Sequence, residues 1–100
     1  MAQLEITILA LGRPGTSASR YVAEAVRIAE RSGLKYQLTA MGTILEGDVG
    51  SVLAVAAEMH EAPFGMGIER VYTVMKLDDR RDRESTIEGK VQSVQDKLKG

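Results

Sequence analysis

The hexapeptide Gly12-Arg13-Pro14-Gly15-Thr16-Ser17 joins a β-branched apolar segment to a helical one. Free N–H groups at a helix start can hold an anion there, with Arg13 or Arg20 assisting. The hexapeptide lacks the Gly-Lys-Ser/Thr close of a phosphate loop. Glycine, proline and serine are equally what a plain turn with a capped helix requires. Gly65-Met66-Gly67 precedes a strand and lacks the third glycine of a dinucleotide fingerprint. His60 is the single histidine and lies in a helical stretch with no second ligand at metal spacing, so it reads as a surface or packing residue. With no cysteine in the chain, disulfides, thiolate ligands and cysteine nucleophiles are all excluded. The serines and threonines have no identifiable activating partner. No catalytic residue, metal ligand or cofactor is therefore expected, and a small enzyme built on the first-turn anion site is the lesser alternative. Glu46 and Asp48 flank Gly47. Asp48 is explained as a helix cap, which leaves Glu46 to accept from a ligand's amino group or pair with a ligand cation near the first-helix entrance. In Asp78-Asp79-Arg80-Arg81-Asp82-Arg83-Glu84 the signs mix, the pattern of a solvated, self-paired connector.

The elements that must position these residues follow from hydrophobic period. Leu4 to Leu11 alternates Ile6, Ile8 and Ala10 against Glu5, Thr7, Leu9 and Leu11, a strand. From about Ala18 the spacing turns helical, with Val22, Ala25, Val26 and Ala29 on one stripe and Ser32-Gly33 as the stop. Leu34 to Met41 and Thr43 to Glu46 read as strands of a hairpin about Gly42. Val52, Val55, Ala56 and Met59 mark a second helix, which Pro63 and Gly65 kink or end. Arg70 to Leu77 is a fourth strand, and Ser85 with Glu88 has capping-box spacing before a helix striped by Ile87, Val91, Val94 and Leu98. Right-handed crossovers turn this order into an α+β, ferredoxin-like split βαββαβ fold: a four-stranded antiparallel sheet, two helices on one face and an extra C-terminal helix.

One hundred residues make one domain, 1–100, and the 44% apolar and 27% charged shares are those of an ordinary globular chain. Thirteen basic against fourteen acidic residues give no electrostatic footprint for nucleic acid. No apolar run approaches the length of a membrane span and no signal peptide opens the chain, so a cytoplasmic location is expected. The strands carry apolar residues on both faces, whereas a sheet open to water would alternate cleanly. Either the last helix folds back over the second face, or identical subunits pack sheet to sheet as a dimer or tetramer; the latter is the expectation here.

Several strings taken together carry a family resemblance: Ser19-Arg20-Tyr21-Val22-Ala23, Gly33-Leu34-Lys35-Tyr36-Gln37-Leu38, Met41-Gly42-Thr43, Glu46-Gly47-Asp48, Asp78-Asp79-Arg80-Arg81 and Thr86-Ile87-Glu88-Gly89-Lys90-Val91. The chain resembles the small thiamine-binding protein family related to YkoF. That resemblance implies a ferredoxin-like fold, assembly through sheets, and binding of thiamine or its hydroxymethylpyrimidine portion without catalysis. Such a ligand needs donors and acceptors, an apolar slot, and a carboxylate or aromatic face for its cationic ring. Ser17, Ser19, Tyr36, Met41, Thr43 and Glu46 could supply these if the first turn and the hairpin meet. A structural or regulatory oligomer acting through protein contacts alone is the competing expectation.

Overall fold

The computed structural model describes residues 1–12, 18–84 and 86–100. The chain runs β1 (Ala2–Leu11), α1 (Ser19–Arg31), β2 (Lys35–Leu38), β3 (Thr43–Gly47), α2 (Val49–Glu61), a 3-10 turn at Phe64–Met66, β4 (Arg70–Asp79) and α3 (Ile87–Lys99). The sheet order is β2-β3-β1-β4 with every pair antiparallel, the split arrangement expected of two right-handed crossovers. Alternation along β1 sends Leu4 and Ile6 toward the helices, where they meet Leu45 of β3, Ala25 and Ala29 of α1, and Val52, Ala56 and Met59 of α2. Alanines at the contact positions keep side-chain bulk between helix and sheet low, which lets the helices seat closely.

The strand ends depart from their sequence reading: β1 starts at Ala2 rather than Leu4, and β4 runs on to Asp79 rather than stopping at Leu77. β2 ends at Leu38 rather than Met41, because the Thr39 hydroxyl accepts from the N–H groups of Met41 and Gly42 and folds the chain into a turn. β4 pairs with β1 over its full length, from Ala2↔Asp79 to Leu11↔Arg70, whereas β3 reaches only Ile6↔Thr43. Beyond that point the β2–β3 turn closes on β1, with the Thr7 hydroxyl donating to the Met41 carbonyl at 2.9 Å. α2 stops at Glu61, and buried Pro63 leads into the 3-10 turn that Gly67 ends at φ 90°. Asp48 occupies the N-cap of α2 without a side-chain cap bond. α3 is capped by Thr86, whose hydroxyl accepts from the Gly89 N–H; Ser85, of the expected capping box, lies outside the described residues.

The sheet face away from α1 and α2 has two halves. Register places Gln3, Glu46, Asp78 and Lys35 in one row at its polar end, and Leu9 with Tyr72 and Thr7 with Val74 in rows farther along. α3 touches down on the polar end only, and Ile87 is its single buried residue among those described. The last helix therefore does not fold back over the second face. Its Val91, Val94 and Leu98 are 52%, 59% and 80% exposed, and the sheet's Leu9, Tyr72 and Val74 are also uncovered. The molecule is accordingly long, 49 × 29 × 20 Å. Its radius of gyration of 15.0 Å exceeds the roughly 13 Å of a compact chain this size.

Candidate functional site

The residues singled out as ligand contacts are spread over the fold. Ser19 opens α1, while the Tyr36 hydroxyl donates to Glu30 near the other end of that helix, at 3.3 Å. Eleven residues separate Ser19 from Glu30, roughly 16 Å along a helix axis. Met41 is at the hairpin tip, 78% exposed, and Thr43 is buried on the helix-covered side opposite Ile6. Ser17 lies outside the described residues.

Glu46 is not at the entrance of α1. Its β3 position turns it to the other face of the sheet, where it is 4% exposed beneath the first turn of α3. There it accepts from the Ile87 N–H at 3.0 Å and lies 3.5 Å from the Lys35 ammonium. Lys35 also donates to Glu88 at 2.5 Å, and Lys90 of α3 pairs with Asp78 of β4. The Glu88 bond holds the Lys35 ammonium above its ordinary range, and reciprocally the Lys35 ammonium holds the Glu88 carboxyl below the usual carboxylate range. These contacts fasten the start of α3 to the sheet.

Two concavities stand out among the described residues. The larger, about 1130 Å³, runs between α3 and the Asp78–Glu84 connector. Two of its arginines pair with neighbouring carboxylates: Arg80 donates to both Asp82 oxygens at 2.6 and 2.9 Å, and Arg81 donates to Asp79 at 2.7 Å. The bidentate Arg80 contact pulls the Asp82 carboxyl down to about 2. This is the self-paired connector anticipated from the mixed signs.

The second concavity, about 660 Å³, lies between α2 and the outer strand β4 and falls in the size range of small-molecule sites. Ala57, Val71 and Met75 give it apolar walls, and Glu58 and Glu61 add carboxylates. His60 Nδ1 and the Thr73 hydroxyl share a 2.6 Å hydrogen bond there, leaving Nε2 of the ring as the second polar atom of the pair. Phe64 sets its ring edge-to-face against His60 at 5.6 Å, fixing the imidazole. Apolar walls, one oriented imidazole and flanking carboxylates can hold a flat, cationic heteroaromatic molecule. A lone histidine gave little reason to look here. The signal lay in combining Glu58, His60 and Glu61 on one helix with Val71, Thr73 and Met75 on one face of β4.

Fold and groove together define a small ferredoxin-like domain with a ligand-sized recess. Among the described residues, no group of histidine and acidic side chains is arranged to hold a metal ion, and no helix is long and apolar enough to cross a membrane. Residues 4–95 match the thiamine-binding protein family, and the chain belongs to it. It is 43% identical over 98 residues to the UPF0045 protein YqgV of Bacillus subtilis, covering 94% of each chain. A UPF0045 protein of Methanothermobacter thermautotrophicus is 39% identical over 99 residues, covering 98% of this chain and all of that one (100%). Among solved structures, the hypothetical protein MJ1052 of Methanocaldococcus jannaschii superposes with a TM-score of 0.87 at 36% identity, over 94% of this chain and 95% of that one. A putative thiamine biosynthesis/salvage protein of Thermotoga maritima shares the fold, with a TM-score of 0.76 at 18% identity over 93% and 97% of the two chains. Membership in this family supports a small-molecule binding role without catalysis.

Proposed function

We propose that this protein binds thiamine or its hydroxymethylpyrimidine portion, does not transform it, and works as a cytoplasmic homo-oligomer in salvage or buffering of the ligand. The family match over residues 4–95 carries the ligand class. Kinship with YkoF, drawn from the strings along the chain, belongs to the same reading. The α2–β4 groove is the place the geometry favours: the aminopyrimidine meets His60 and Thr73, and the cationic thiazolium meets Glu58 and Glu61. The uncovered sheet face supports self-association, since it leaves Leu9, Tyr72 and Val74 in water.

Titration calorimetry with thiamine and with hydroxymethylpyrimidine tests the reading. Saturable heat with at least one of them is expected, and none with either at millimolar ligand overturns it. The two ligands also separate the ends of the groove. Glu58→Gln with Glu61→Gln should weaken thiamine by about tenfold, equal to 1.4 kcal/mol, and leave the uncharged pyrimidine unchanged. His60→Ala should weaken both. Ser19→Ala and Met41→Ala should leave both intact; a loss there, with the groove variants unaffected, moves the site to the hairpin and the start of α1.

A further inference from the structure

The recess between α2 and β4 carries charge of one sign. Among the described residues, its lining holds Glu58 and Glu61 and no lysine or arginine. Counting His60 as neutral, the formal charge is minus two, and even an imidazolium would leave minus one. The two carboxylates stand where α2 gains nothing from them. They lie about one turn apart, so like charges face each other, and they fall in the last turn, where the backbone dipole is negative and favours cations. Neither meets a basic side chain among the described residues, whereas Glu24, Glu46 and Glu88 each do. α2 itself has no lysine or arginine, and Arg70 and Lys76 of β4 share the alternation of Val74, which turns them to the opposite face of the sheet. A negative recess that the chain leaves uncompensated suits a cation from outside.

We propose that this recess selects the free, cationic form of its ligand and turns away the phosphate esters. The inference rests on the proposed binding of thiamine in the groove and adds its specificity. In a thiamine phosphate the ester is carried on the hydroxyethyl arm of the thiazolium, the ring assigned to Glu58 and Glu61. The ester brings about −1.5 to −2 charge at neutral pH to the side of two carboxylates. No lysine or arginine of the lining can receive it, and the Thr73 hydroxyl is already bonded to His60. The end of α2 at the recess is its C-terminus, which offers carbonyl oxygens, the reverse of the N–H groups of a helix-borne phosphate site. Such a preference holds the ligand ahead of a phosphoryl-transfer step and lets the esterified product go.

Titration calorimetry of the full chain with thiamine, thiamine monophosphate and thiamine diphosphate reads the preference. Thiamine should bind at least about tenfold tighter than either ester at about 10 mM salt, and the gap should narrow as salt is raised to about 1 M. In the chain carrying Glu58→Gln and Glu61→Gln, thiamine should weaken and the esters strengthen until the gap closes. Glu58→Lys with Glu61→Lys should put the esters ahead. The double glutamine chain, free of ligand, should also unfold at a higher urea midpoint than wild type, since the like-charge pair and the adverse dipole contact are gone. An ester that binds the wild type as tightly as thiamine overturns the selection and leaves the binding itself standing. A gap kept in full by the double glutamine chain assigns the selection to other groups and overturns it too. A lower midpoint in that chain shows the carboxylates serving the fold, against their reservation for a ligand. No heat from any of the three compounds overturns the binding and the selection together.

Discussion

A carboxylate buried as deeply as Glu46 must be met by donors, and it has the Ile87 N–H and the Lys35 ammonium. Its work is therefore to seat α3. Glu46→Ala strips the acceptor from the Ile87 amide and should lower stability by about 1–3 kcal/mol in urea unfolding, with Glu46→Gln, which keeps a carbonyl acceptor, losing less. Equal midpoints for the alanine variant and the wild type would show the contact to be idle. Glu88 reports on the same fastening from the helix side. Because Lys35 holds its folded-state carboxyl below the unfolded value, the contribution is present above the ordinary glutamate range near pH 4.3 and fades as pH falls through the lowered folded value. A carbon-detected NMR titration should place the Glu88 midpoint below that range and return it there in Lys35→Met. A wild-type midpoint inside the ordinary range contradicts the bond.

At the scale of elements, two glycines have opposite roles. A Cβ on Gly42 would stand 2.8 Å from the Ile6 carbonyl oxygen and 2.9 Å from the Thr7 hydroxyl, so the hairpin would have to lift off β1. Gly42→Ala should destabilise by about 1–3 kcal/mol in chemical denaturation. Gly50, in the first turn of α2, has open space around its Cβ position, and Gly50→Ala should stabilise by about 0.4–1 kcal/mol by restricting the unfolded chain. A destabilised Gly50→Ala would mean that the turn needs glycine's freedom. The elements themselves were legible because Val52, Ala56 and Met59, or Ile6, Ile8 and Ala10, repeat at one period over many residues. Their ends were less so: Thr39 and Thr86 decide where β2 stops and α3 starts through single side-chain bonds that leave no period. The site was least legible. Whether Glu46 faces the helices or the opposite side turns on one step of strand register, and the groove around His60 exists only once α2 lies beside β4.

For the whole molecule, the division is between a core and an arm. The core cluster draws on β1, α1, β3 and α2, and α3 contributes only Ile87, outside it. A chain ending at Arg83 should therefore still unfold in one cooperative transition, with a urea slope close to that of the full chain because little core surface leaves with the arm. The isolated loss should be about 1.5–3 kcal/mol, the burial of one isoleucine side chain. The two chains should differ more in concentration dependence. With the proposed self-association, the folded full-length chain is stabilised by its partner, and its midpoint climbs as protein concentration rises. The shortened chain lacks the exposed Val91, Val94 and Leu98, so its midpoint should climb less from micromolar to hundreds of micromolar. A shortened chain that fails to fold would place α3 inside the folding unit, and a midpoint that climbs equally in both would assign the association to surfaces other than α3.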